Sequence, residues 1–304
     1  MIASLAALGA AFCWAAGGLI AVAPVRALGP LAFNRIRMTV VAVMLAAAVT
    51  VLGRWGGLDG GQVGILALSG LVGVVLGDSA LFWALARIGP RRNTVLYATN
   101  APMTALLGWM FLGESLGMGA LAGIALTTVG VMVAVTCRLT PAQSDAPGAS
   151  QAWEWVNGSL AAGIAAALTA ALCQAAGSVI ARPAMAAGAD PLAAAAVRVA
   201  AAALVLLGAS LLPGRRGGLI PPALRQPRIL GLVLLNGAMG LGLGMTLLMV
   251  GLAHGSVGVV ATLSATSPVL MLPLLWMLTG KPAGPGAWAG AIVAVAGVAL
   301  VVNR

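Results

Sequence analysis

A chain of 304 residues that is 61% hydrophobic and only 7% charged, with a mean hydropathy of +1.07, has too few polar side chains to clothe a water-soluble surface. Its formal charge of +10 is no nucleic-acid footprint, because fifteen of the sixteen basic residues are arginines and most lie between apolar segments as topology signals. A single histidine, three scattered cysteines and no phosphate-cradling glycine loop leave no zinc-binding pair and no ATP site, so neither metal, cofactor nor enzymatic activity is expected.

Ten stretches reach the roughly 20 apolar residues that a helix needs to cross a hydrocarbon core. They run at 2–24, 30–53, 62–86, 92–112, 115–137, 158–182, 191–213, 229–253, 256–279 and 284–302, and are numbered spans 1 to 10. The expected fold is an all-α membrane protein of ten transmembrane helices, with no room for a soluble catalytic domain.

Span 1 lacks the basic region of a secretory signal, so it reads as a mature membrane helix. Its Cys13-Trp14-Ala15-Ala16-Gly17-Gly18 is echoed in span 6 by Cys173-Gln174-Ala175-Ala176-Gly177-Ser178. Trp14 and Gln174 are therefore equivalent, and neither suits a purely lipid-facing surface. Trp14 could stack on a flat substrate group or simply fill the core. The cysteines, Cys13, Cys137 and Cys173, read as small packing residues.

Span 2 opens on Pro30 and carries Arg35 and Arg37; span 7 repeats the spacing as Pro191 and Arg198. Gly70, Gly73 and Gly77 of span 3 return in span 8 as Gly237, Gly240 and Gly244, each 167 residues later, and Asn236 matches Ser69. The same offset carries Gly119, Gly123 and Gly130 of span 5 onto Gly286, Gly290 and Gly297 of span 10. Small residues let helix backbones approach closely in lipid, so shared spacing means shared packing.

At ~1.5 Å rise per residue, Arg37 lies ~10 Å below the start of span 2 and Asp78 ~13 Å below the end of span 3. The two groups share a depth and could pair. They are either a structural ion pair or a coupling site, with Asp78 protonated during a cycle and the proton as coupling ion. Met245 stands where the second copy would carry its aspartate. Arg198 then either seats a substrate carboxylate or is satisfied by helix carbonyls and polar side chains.

Spans 4 and 9 carry Pro102 and Pro268, preceded by Tyr97, Thr99 and Asn100 in one and by Ser264, Thr266 and Ser267 in the other. A proline deep in a span frees a backbone carbonyl, so helix kinks are expected at both. They either line a water-filled cavity or only pack. The candidate substrate-binding residues are Trp14, Tyr97, Asn100, Gln174, Arg198 and Thr266.

The loops after odd-numbered spans hold Arg26, Arg87, Arg91, Arg92, Arg138, Arg215, Arg216, Arg225, Arg228 and Lys281; the opposite side holds Arg54, Arg182 and Arg304. The positive-inside rule places the first set in the cytoplasm and both termini outside. The bias follows opposite spans in the two halves, as an inverted repeat of five plus five helices requires. Residues 138–157 read as a linker between a first repeat at 1–137 and a second at 158–304.

Leu112-Gly113-Glu114 closing span 4, Gly123 and Gly130 in span 5, and the doubled Pro-to-Arg spacing of spans 2 and 7 complete a pattern. It resembles the ten-helix EamA branch of the drug/metabolite transporter superfamily. The resemblance covers nearly the whole chain, which departs from it at Thr279-Gly280-Lys281, where a second Leu-Gly-Glu would stand. It implies an inverted repeat around a central cavity, alternating access, and a monomeric multi-pass protein of the bacterial inner membrane exporting amino acids or related metabolites. Efflux of cationic or aromatic drugs and a non-transporting membrane scaffold are the rival expectations.

Overall fold

The computed structural model describes residues 1–137, 158–210, 221–279 and 283–302. The expected linker at 138–157, together with Arg138, Arg215, Arg216, Lys281 and Arg304, lies outside the described residues.

Ten helices are long and apolar enough to cross a membrane, and the described residues contain no strand. Span 1 is Ile2–Leu28 and span 2 is Pro30–Val51, joined through Gly29 at φ 77°. A methyl-bearing residue would resist that left-handed backbone. Span 3 comprises Gly60–Gly70, a π-helical stretch Leu71–Leu76, and the start of Gly77–Tyr97. An Asp59–Gln62 capping box opens it.

The expected loop between spans 3 and 4 is not found: helical backbone continues from Gly77 to Tyr97. The chain nevertheless reverses within this stretch. Asp78 and Tyr97 lie within electrostatic reach of one another, whereas a straight helix would hold them ~28 Å apart. In the second half the same corner has a short connector, between helices Gly244–His254 and Val257–Ser264.

Spans 4 and 9 are each broken into two arms rather than kinked. In span 4 the second arm is Asn100–Leu112; in span 9 the arms are Val257–Ser264 and Ser267–Thr279. The break falls at Ala98-Thr99 and at Ala265-Thr266. Pro102 and Pro268 therefore stand in the first turn of a new helix, where no intrahelical donor is required.

The remaining spans are Met118–Thr136, Leu160–Ala186, Pro191–Ser210, the composite Pro227–Asn236, Gly237–Leu243 and Gly244–His254, and Pro285–Val302. Gly237–Leu243 is again π-helical, so the repeat extends to an unusual backbone feature: spans 3 and 8 widen at equivalent places.

The two halves interlock rather than sit side by side. Span 1 packs on span 8 and span 6 on span 3; span 2 packs on span 7 and span 5 on span 10. The repeated glycines are what allow this. A side chain on Gly130 or Gly290 would run into the backbone of the facing helix, at Ala294 and Ala134. Two polar ties repeat across the crossings: Asn236 donates to the Gly17 carbonyl and Ser69 to the Gly177 carbonyl. In lipid, such bonds satisfy groups that would otherwise be stranded.

Candidate functional site

Arg37, Asp78, Tyr97 and Arg198 form a cluster that draws on both halves. The Arg37 guanidinium stands 3.6 Å from the Asp78 carboxylate. It also donates to Asn34 Oδ1 at 2.8 Å and lies 5.4 Å from the centre of the Phe33 ring. Arg198 and Tyr97 are both within electrostatic reach of Asp78. One carboxylate therefore pairs with the half-buried Arg37 and lies in the field of the buried Arg198.

Arg198 is completely buried. Its backbone packs against Gly70, and its Nη2 approaches Gly73, so the π-helical stretch of span 3 begins beside it. Nη1 approaches the Met249 sulfur at 3.8 Å, a weak acceptor. Nε and Nη2 have no hydrogen-bond partner among the described residues. Unpartnered donors this deep in a membrane helix cost free energy unless something else accepts from them.

Gln174 lies at the crossing of spans 6 and 3, where its backbone faces Gly77, next to Asp78. Trp14 occupies the equivalent crossing of spans 1 and 8, against Gly244. Its indole N–H donates to the Gly240 carbonyl at 2.9 Å, within the second π-helical stretch. The polar edge of this side chain is thus already engaged by the opposite half.

Asn100 and Thr266 stand at the two breaks, both buried. The hydroxyl of Thr266 donates to the Leu263 carbonyl at 2.7 Å, and that of Thr99 to Leu96 at 2.6 Å. The hydroxyls at both breaks therefore serve their own helices. The Asn100 carboxamide stands beside them at the first break.

Two ion pairs between the halves escaped sequence reasoning. Arg54 pairs with Asp190 at 3.1 Å, and Arg182 with Glu114 at 3.7 Å. The Glu114 carboxylate also accepts from the Val257 N–H, at 2.9 and 3.1 Å to its two oxygens. The available signal was opposite charge on the loops after even-numbered spans of the two halves. An apolar groove of about 450 Å³ opens beside Glu114, lined by Pro102, Leu106, Trp109, Leu116 and Leu121. It lies on the outer flank of span 4, apart from the Arg37–Asp78–Arg198 cluster.

A family model described as the EamA-like transporter family matches residues 1–136 and 161–303. A solved crystal structure that is 18% identical in sequence superposes with a TM-score of 0.78, covering 99% of this chain and 96% of that one. At that identity the likeness shows a common fold. No curated protein matches the chain.

Proposed function

The chain belongs to the EamA-like transporter family, within the drug/metabolite transporter superfamily, and on that premise we propose that it exports amino acids or related small metabolites bearing a carboxylate. It is a multi-pass membrane protein; we place it in a bacterial inner membrane with both termini in the periplasm. Its first repeat would occupy residues 1–137 and its second 158–304. The two halves would expose the same site alternately to each side.

The observation that carries the substrate reading is Arg198, fully buried with two unpartnered donor nitrogens. Its repeat equivalent Arg37 has Asp78, and Arg198 has no acid of its own. A guanidinium fork matches a carboxylate in geometry as well as charge. Gln174 and Asn100 would hold the remaining polar atoms of the solute, with Tyr97, Trp14 and Thr266 shaping the walls. The cluster of two arginines and one aspartate carries net positive charge. That disfavours the cationic-drug reading, because Asp78 is already claimed by Arg37.

The test is counterflow of radiolabelled amino acids in proteoliposomes. Arg198→Gln should keep the fold and lose uptake of carboxylate-bearing solutes at least tenfold, as expected for a lost charge-assisted contact. Undiminished amino-acid flux in Arg198→Gln would remove Arg198 from the site, and flux of organic cations alone would favour the drug-efflux reading.

A further inference from the structure

We propose that Glu114 is the latch of a one-sided gate, so that the resting protein is held closed on the face of the loops after even-numbered spans. The inference rests on the transport reading above and deepens it, because a single latch decides which side the empty site faces.

The latch is built from both halves. Glu114 follows the end of span 4, Val257 begins span 9 and Arg182 lies near the end of span 6. The carboxylate takes the Val257 N–H with both oxygens and lies 3.7 Å from the Arg182 guanidinium. A carboxylate at a helix N-terminus is favoured both by the unsatisfied N–H groups there and by the helix dipole. Beneath it, the second arm of span 4 and the first arm of span 9 pack closely. The Val257 side chain lies over Gly108, and Gly258 faces Ala105. The Arg54–Asp190 pair also bridges the halves, through the loops after spans 2 and 6.

The inverted repeat places a counterpart on the opposite face, and there every element is different. The repeat offsets put Lys281 in the place of Glu114, Pro90 in the place of Val257 and Val22 in the place of Arg182. Proline has no N–H to donate, and lysine is repelled by a helix N-terminus. In sequence, Arg91 is the repeat equivalent of Gly258 and Leu275 that of Gly108, so the glycines of the latch are not repeated. A two-fold plan whose latch residues are not repeated in sequence has unequal gates. With the loop arginines in the cytoplasm, the empty site rests open to the cytoplasm, where an exporter meets its cargo.

Disulfide trapping tests this without any transport assay. In a background lacking Cys13, Cys137 and Cys173, the pair Ala105→Cys with Gly258→Cys should oxidise readily, since the two positions are in direct contact, with a Cβ on Gly258 lying 3.0 Å from that of Ala105, and a small parting of the arms brings them to the roughly 3.5–4.5 Å Cβ separation of a disulfide. The counterpart pair Leu272→Cys with Arg91→Cys should remain reduced. Adding Glu114→Gln, or Arg182→Gln if the first variant misfolds, should slow the first pair about tenfold, the scale of one lost charge-assisted contact. Equal oxidation of both pairs, or a rate indifferent to both substitutions, overturns the latch. A protein that traps as stated but carries no solute would keep the latch and defeat the transport reading instead.

Discussion

The Arg37 guanidinium stands 3.6 Å from the Asp78 carboxylate, and the residue that repeats Asp78 in the second half is Met245. The halves share a backbone plan down to their π-helical stretches and broken spans, yet they differ in charge. The half-buried Arg37 has its counter-ion within its own half. The other, Arg198, looks across the interface to the same aspartate. The shared backbone plan thus carries unequal charge in its two halves.

Arg37 and Asp78 should be energetically coupled. Asp78→Asn alone leaves the half-buried Arg37 without its counter-ion and should cost about 1–3 kcal/mol of stability. The double change to Arg37→Gln and Asp78→Asn should recover part of that loss. Additive losses in unfolding experiments would mean that the groups do not interact. If Asp78 also carries the coupling proton, flux through any folded Asp78 variant should no longer respond to an imposed pH gradient.

Met245→Asp should restore the missing charge of the second half. Met245 is buried one helical turn from Met249, which Arg198 touches, so an introduced carboxylate would reach the free donors. The variant should melt no lower than the parent and should lose binding of carboxylate-bearing solutes in a thermal-shift titration. Retained binding would show that the solute does not compete for Arg198.

How much of this was legible in the sequence depended on what each feature requires. Glycine spacing is periodic along one helix, so the repeat and the ten spans could be inferred before any coordinates, whereas the facing of Gly130 by Gly290 emerges only from the packed helices. The polar-proline clusters marked both broken spans but misplaced the irregularity. The break falls at Thr99 and Thr266, whose hydroxyls close the preceding arm, and the prolines start the next. The corner between spans 3 and 4 was read as a loop because of its arginines, although the backbone there stays helical. Glu114 could be recognised only as a motif. Its partners Val257 and Arg182 lie far away in sequence, in the other half, and no local pattern specifies them.

Stability should discriminate between glycines that face a backbone and glycines that face open space. Gly130→Val forces the span 5–span 10 contact apart and should cost about 1–3 kcal/mol or more. Gly231, within Pro227–Asn236, has nothing near its missing Cβ. Gly231→Ala should raise stability by about 0.5–1 kcal/mol through helix propensity. Melting curves in detergent that rank the two variants in the reverse order would contradict the packing scheme.

Topology can be read with a cysteine already present. Cys137 is exposed at the end of span 5, whereas Cys13 is buried. A membrane-impermeant thiol reagent should label Cys137 in inside-out vesicles and spare it in right-side-out ones. A C-terminal fusion at Arg304 should be active only as a periplasmic reporter. The reverse pattern in either experiment would invert the assignment of faces while leaving the fold intact.

Accessibility of the central positions from each face tests alternating access most directly. Single cysteines replace Trp14, Tyr97, Asn100, Gln174, Arg198 and Thr266 in a background without Cys13, Cys137 and Cys173, and impermeant reagent is applied from each side with and without solute. The account predicts that folded variants react, that in the resting protein they do so from the cytoplasmic side, and that a carboxylate-bearing solute protects them. Uniform inertness from both faces at all six positions would mean a closed packed core and would contradict the transporter account in favour of a membrane scaffold.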